Sequence, residues 1–126
     1  MELEATYLTH RPLQAAGLQN WRLIRVTDYV ERHLADSVRL QHLAAVAGLT
    51  RMHFAAQFRI ATGVRPHHYV RHRRIEKACE LLRESEQAIV DIALAVGFQT
   101  QAHFSTVFRQ VTGQTPRQWR LKHVAS

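Results

Sequence analysis

A chain of 126 residues suffices for one compact domain or two very small ones and excludes an assembly of several catalytic folds. With 46% hydrophobic and 21% charged residues it can bury a core, and only five Gly and three Pro argue against a turn-rich sheet fold, leaving helices as the default. Seventeen basic residues, fifteen of them Arg, stand against ten acidic ones for a net charge of +7. Residues 1–36 hold four Arg against five acids, so the whole excess lies in residues 37–126. The planar Arg fork donates two parallel hydrogen bonds to phosphate or a base edge, so a polyanion is the natural partner; a merely solubilising surface is the bland alternative.

In chain order, residues 1–20 lack the apolar core of a secretory signal, are interrupted by Pro12 and Gly17, and read as an arm or short helix. Leu23, Ile24, Val26, Tyr29, Val30 and Leu34 then mark an amphipathic helix. Leu40, Leu43, Ala44 and Ala47, spaced by three and four, form one face of a short helix that Gly48 can end in the left-handed conformation. Thr50 is a good N-cap for the next helix, which buries Phe54, Phe58 and Ala61 and runs to Gly63. Pro66 opens a long helix of about 19 residues, roughly 28 Å, carrying Tyr69, Val70, Ala78, Leu81 and Leu82.

The grammar then repeats. Ile89, Ile92, Ala93 and Val96 lead to Gly97; Thr100 caps a helix that buries Phe104, Val107, Phe108 and Val111 and runs to Gly113. Leu40 matches Ile89, Gly48 matches Gly97, His53-Phe54 matches His103-Phe104, Phe58-Arg59 matches Phe108-Arg109, Pro66 matches Pro116 and Tyr69 matches Trp119, with one extra residue in the second turn. The small Ala44 and Ala93 let the following helix cross closely. This is a helix-turn-helix written twice. The expected fold is all-α, about seven helices: an arm (1–20), a first subdomain (21–64), a linker helix (65–85) holding the two units apart, and a second subdomain (86–126).

The second unit and its tail, Asp91-Ile92-Ala93 through Val96-Gly97-Phe98, His103-Phe104-Ser105, Phe108-Arg109, Thr112-Gly113, Thr115-Pro116 and Trp119-Arg120, resemble the DNA-binding domain of the AraC/XylS family of bacterial transcription regulators. The resemblance covers about residues 21–121. It implies seven helices in two subdomains, with two recognition helices entering successive major grooves of double-stranded DNA, and an activator contacting RNA polymerase as the commoner role. Its base-reading positions fall on Met52, Ala55 and Ala56 in the first recognition helix and on Gln101, Ala102 and Thr106 in the second, with Arg51, His53 and His103 as neighbours. Long polar side chains commonly stand where Ala55, Ala56 and Thr106 stand here, so readout is expected to be soft, with Gln101 left to bond adenine and Met52 and the alanines to touch a thymine methyl. Phosphate contacts are expected from Thr50 and Thr100 with their helix amides and from Arg59, Arg109, Arg117 and Arg120. A major groove admits a helix, and two grooves on one face lie about one helical turn, ~34 Å, apart, so a monomer with two units could fill an asymmetric site.

Other chemistry is poorly supported. Cys79 sits in an apolar helical context and the nine His lack a motif partner, so no nucleophile, base and orienting group assemble, and no enzyme or cofactor is expected. His68 and His72 have ligand spacing, yet no carboxylate or Cys completes a metal set. Arg71, Arg73 and Arg74 read as a DNA-facing cluster, a solvated face, or ion pairs with Glu76 and Glu80. A lone Cys and no run of ~18 apolar residues fit a cytoplasmic, nucleoid-associated protein without a membrane partner. Residues before Trp21 are too few for a sensor domain, so the chain is expected to be either a small stand-alone regulator, toward which Met1 leans, or the C-terminal part of a longer protein. An architectural protein binding nucleic acid with weak sequence preference is the competing function.

Overall fold

A computed structural model describes residues 17–124, and among them the chain forms seven helices and no strand. These are α1 (Asn20–Arg32), α2 (Leu40–Ala47), α3 (Arg51–Thr62), α4 (Pro66–Glu84), α5 (Ile89–Ala95), α6 (Gln101–Thr112) and α7 (Pro116–His123). The expected arm lies outside the described residues as far as residue 16. The linker helix spans the 19 residues that its Pro start and apolar periodicity foretell. The chain divides into two compact units between Arg73 and Arg74, inside α4. That helix was expected as a spacer; its first half belongs to one core and its second half to the other.

In the first unit, Leu23, Val26 and Val30 of α1, Leu43, Ala44 and Ala47 of α2, and Phe54, Phe58 and Ala61 of α3 close a core with Tyr69 and Val70 of α4. Phe58 meets Phe54 and Tyr69 with ring centroids 5.6 Å apart in both pairs, the latter edge-on. Burying each Phe contributes about 1.5–3 kcal/mol. α1 stops at Arg32, short of Leu34, and Leu34 reaches the core from the turn. Gly17 marks a close approach rather than a simple break: a Cβ there would stand 2.9 Å from the Ala61 backbone nitrogen, and the Leu18 amide donates to the Gln57 carbonyl at 3.2 Å.

The second unit repeats this with Ile75, Ala78 and Leu82 of α4, Ile92 and Ala93 of α5, Phe104, Val107 and Phe108 of α6, and Trp119 of α7. Phe108 meets Phe104 at 5.6 Å and Trp119 edge-on at 6.3 Å. The duplication therefore extends beyond the helix-turn-helix. Arg22-Leu23, Val26 and Val30 of α1 have their counterparts in Arg74-Ile75, Ala78 and Leu82 of α4, while Pro66 and Tyr69 of α4 have theirs in Pro116 and Trp119 of α7. One continuous helix thus supplies the closing helix of one unit and the opening helix of the next. Cys79 is buried in the second core, and desolvation pushes its thiol up to about 12.

Candidate nucleic-acid interface

Helices α3 and α6 are set up identically. The Thr50 hydroxyl oxygen accepts from the His53 amide at 3.3 Å and that of Thr100 from the His103 amide at 3.1 Å. Each cap satisfies one orphan amide and leaves others of the first turn facing outward, as an anion requires. Both helices end at a glycine in the left-handed region, Gly63 and Gly113, each with φ 82°. Phe54 with Phe58, and Phe104 with Phe108, pin one face to the core and so fix which residues look out.

In the first unit Arg51, Met52, His53, Ala56 and Arg59 are exposed and Ala55 is half-buried. Met52, 86% exposed, is a flexible apolar side chain held in water at the helix start. In the second unit Gln101, Ala102, His103, Thr106 and Arg109 are exposed, and Thr100 and Thr50 are exposed beside their helices. The Thr106 hydroxyl donates to the Ala102 carbonyl at 3.1 Å, leaving it an acceptor toward any partner. Neither helix carries an Asp or Glu.

The turns in front of these helices are braced by arginines whose role the sequence did not reveal. Arg22 of α1 donates to the Ala47 carbonyl at the end of α2, and Arg74 of α4 donates to the Gly97 carbonyl behind α5 at 3.0 Å. Burial holds the Arg74 guanidinium below its ordinary range. Arg73, 5% exposed, forks onto Glu31 of α1 at 2.6 and 2.8 Å. Arg73 and Arg74 are therefore structural members of the two units and not a solvated face, a correction to that reading; for Arg74 the repeat offset shared with Arg22 was the available signal.

The remaining expected residues separate. Arg117 is exposed on the first turn of α7. Arg120 is half-buried and turned inward, its Nε donating to the Leu82 carbonyl at 3.0 Å and its Nη2 to the Ser85 carbonyl at 3.2 Å, where it satisfies the end of α4. The His72 ring donates through Nδ1 to the His68 carbonyl at 3.0 Å, an intrahelical bond rather than a ligand geometry. Among the described residues no group of three His, Cys, Asp or Glu could hold a metal, and no helix is long and apolar enough to cross a membrane.

A family model described as a helix-turn-helix domain, of the AraC type, matches residues 43–122. The chain belongs to the AraC-type helix-turn-helix family. The MmsAB operon regulatory protein of Pseudomonas aeruginosa is 34% identical over 112 residues, 89% of this chain and 36% of that protein. The chain thus spans about a third of that relative's length. The C-terminal domain of AraT, a response regulator from Geobacillus stearothermophilus, is 29% identical with a TM-score of 0.80, covering 86% of this chain and 90% of that one. The DNA-binding domain of AdpA, a global transcriptional factor whose structure holds a target DNA, is 28% identical with a TM-score of 0.76, covering 80% and 91%. What the chain shares with these proteins is the AraC-type DNA-binding domain.

Proposed function

We propose that this AraC-type chain recognises an asymmetric site on double-stranded DNA, inserting α3 and α6 into successive major grooves, and activates transcription. One observation carries the reading: two N-capped, glycine-terminated helices, each with a carboxylate-free face held outward by a buried Phe pair. Gln101 is the residue able to bond adenine bidentately; Met52, Ala55, Ala56 and Ala102 offer apolar contact to thymine methyls, and Thr106 an acceptor. Arg51, His53 and His103 stand at the helix starts, within reach of bases or phosphate. Thr50, Thr100, Arg59, Arg109 and Arg117 form the phosphate set, which leaves out the inward-turned Arg120. Two different recognition helices in one chain let a monomer occupy the site. Contact with RNA polymerase and a cytoplasmic, nucleoid-associated location complete the proposal.

The test compares two variants on one selected duplex. Gln101→Ala lowers discrimination at one base pair by ~1–3 kcal/mol and leaves the salt slope unchanged. Arg109→Ala weakens all duplexes alike and lowers the salt slope by about one unit. Interchanged behaviours would refute the assignment. A second reading, weakly specific architectural binding, is favoured by the three alanines on the reading faces and by the self-bonded Thr106 hydroxyl. It predicts a steep salt dependence with no preferred sequence.

A further inference from the structure

The first unit contains a cavity of about 320 Å³, at the lower end of the roughly 300–1,000 Å³ usual for small-molecule sites. Its walls are apolar: Leu43 and Val70 from the core, Val38 and Leu40 before and on α2, and Ala55 and Ala56 of α3. Its rim is cationic. Arg59 and Arg65 line it together with His67, no acid does, and neither arginine side chain has a hydrogen bond or carboxylate partner among the described residues. The start of α4 at Pro66 adds the positive end of a 19-residue helix to the same rim.

The duplication shows that the fold does not require this chamber to be apolar. The counterparts of Ala55, Ala56 and Val70 in the second unit are Ser105, Thr106 and Arg120, and that of Val38 is Gln87. Positions 38, 55, 56 and 70 of the lining are thus apolar in this unit alone, whereas Leu40 and Leu43 are matched by Ile89 and Ile92, and Arg59 by Arg109.

We infer that this cavity binds a small apolar monoanion, a carboxylate on an alkyl body, with the tail between α2, α3 and α4 and the head group on Arg65 and Arg59. Because Ala55, Ala56 and Arg59 also belong to the proposed DNA-reading face, the occupant competes with the duplex. That second consequence rests on the DNA-binding reading; occupancy itself does not.

Octanoate is the probe, with 1-octanol and acetate as controls for head group and tail, titrated into the full chain while backbone amide shifts are followed by NMR. Saturable shifts are expected at Leu43, Ala55, Ala56 and Val70, with octanoate about tenfold tighter than either control. Arg65→Gln, outside the DNA set, should weaken octanoate about tenfold while 1-octanol is unaffected, and Ala55→Leu, filling the chamber, should abolish the shifts; circular dichroism and melting verify that both variants fold. Shifts scattered over the surface, or equal affinity for octanoate and 1-octanol, would overturn the site. Duplex affinity is read separately at matched ionic strength: octanoate should raise the apparent Kd by one plus the ratio of its concentration to its own Kd, and Arg65→Gln should move that response to about tenfold higher octanoate. An unchanged Kd at saturating octanoate would overturn the competition. A chain that binds no duplex without octanoate would overturn the DNA reading and leave the shift map to decide the site.

Discussion

Replacing Arg74 by Met keeps an unbranched stem against the second core and removes the donor to the Gly97 carbonyl, 3.0 Å away, at the turn that launches α6. A hydrogen bond from a charged donor is worth about 1.5–3 kcal/mol. Burial opposes the guanidinium charge, and relief of that desolvation offsets part of the loss, so the net cost is about 1 kcal/mol. For a chain between the small and the medium size classes this lowers the melting temperature by roughly 3–6 °C. Arg22→Met, acting on the Ala47 carbonyl in the other unit, should cost a similar amount. Thermal melts by far-UV circular dichroism test this, with Lys77→Ala as the control, since Lys77 and Glu80 form an exposed pair at 3.5 Å worth at most ~1 kcal/mol. If both arginine variants melt like the lysine control, the carbonyl braces carry no stability and the repeated arginine has another purpose.

Two further predictions follow from ionisable groups. With its thiol pushed up to about 12 by burial, Cys79 should react with iodoacetamide at neutral pH only after unfolding in urea; rapid alkylation of the native chain would show the second core to be open. Burial, followed by the like charge of His67, Arg71, Arg65 and His72, holds His68 below the usual imidazole range. The folded state therefore takes up that proton less readily than the unfolded chain, so stability present above about pH 6.5 is lost as the pH falls through the lowered value. His68→Gln should show a smaller drop in urea midpoint on acidification than the natural chain, and an equal drop would refute the assignment.

Much of this was legible in the residues because it rests on local rules. Gly48, Gly63 and Gly113 stand where helices end in the left-handed region, Thr50 and Thr100 where orphan amides need an acceptor, and the Phe pairs at i and i+4 where a face is buried. What escaped is what depends on a partner distant in sequence. Arg74 looks like a surface charge in a row of arginines and Arg120 like a phosphate contact, yet each donates to a carbonyl, and a carbonyl leaves no mark on the sequence. Gly17 reads as a helix breaker, whereas its lack of a side chain admits the Ala61 backbone. The bidentate Arg73–Glu31 pair joins residues whose separation no helical periodicity connects. Extending the repeat to compare α1 with the second half of α4 would have paired Arg22 with Arg74 and exposed the shared brace. The alanines of α3 were read as a deficit of base contacts; the structure shows that they also wall a chamber.

Whether each unit presents a DNA-reading helix is tested by selection of duplexes from a random library by the intact chain. The winner and a scrambled duplex are then titrated at two salt concentrations. One asymmetric site is expected, with two unlike motifs about one helical turn, ~34 Å, apart, and affinity for it at least about 10³-fold above the scrambled duplex. Tight binding at low salt with no enriched sequence, or enrichment of a single motif alone, would contradict a reading helix in each unit.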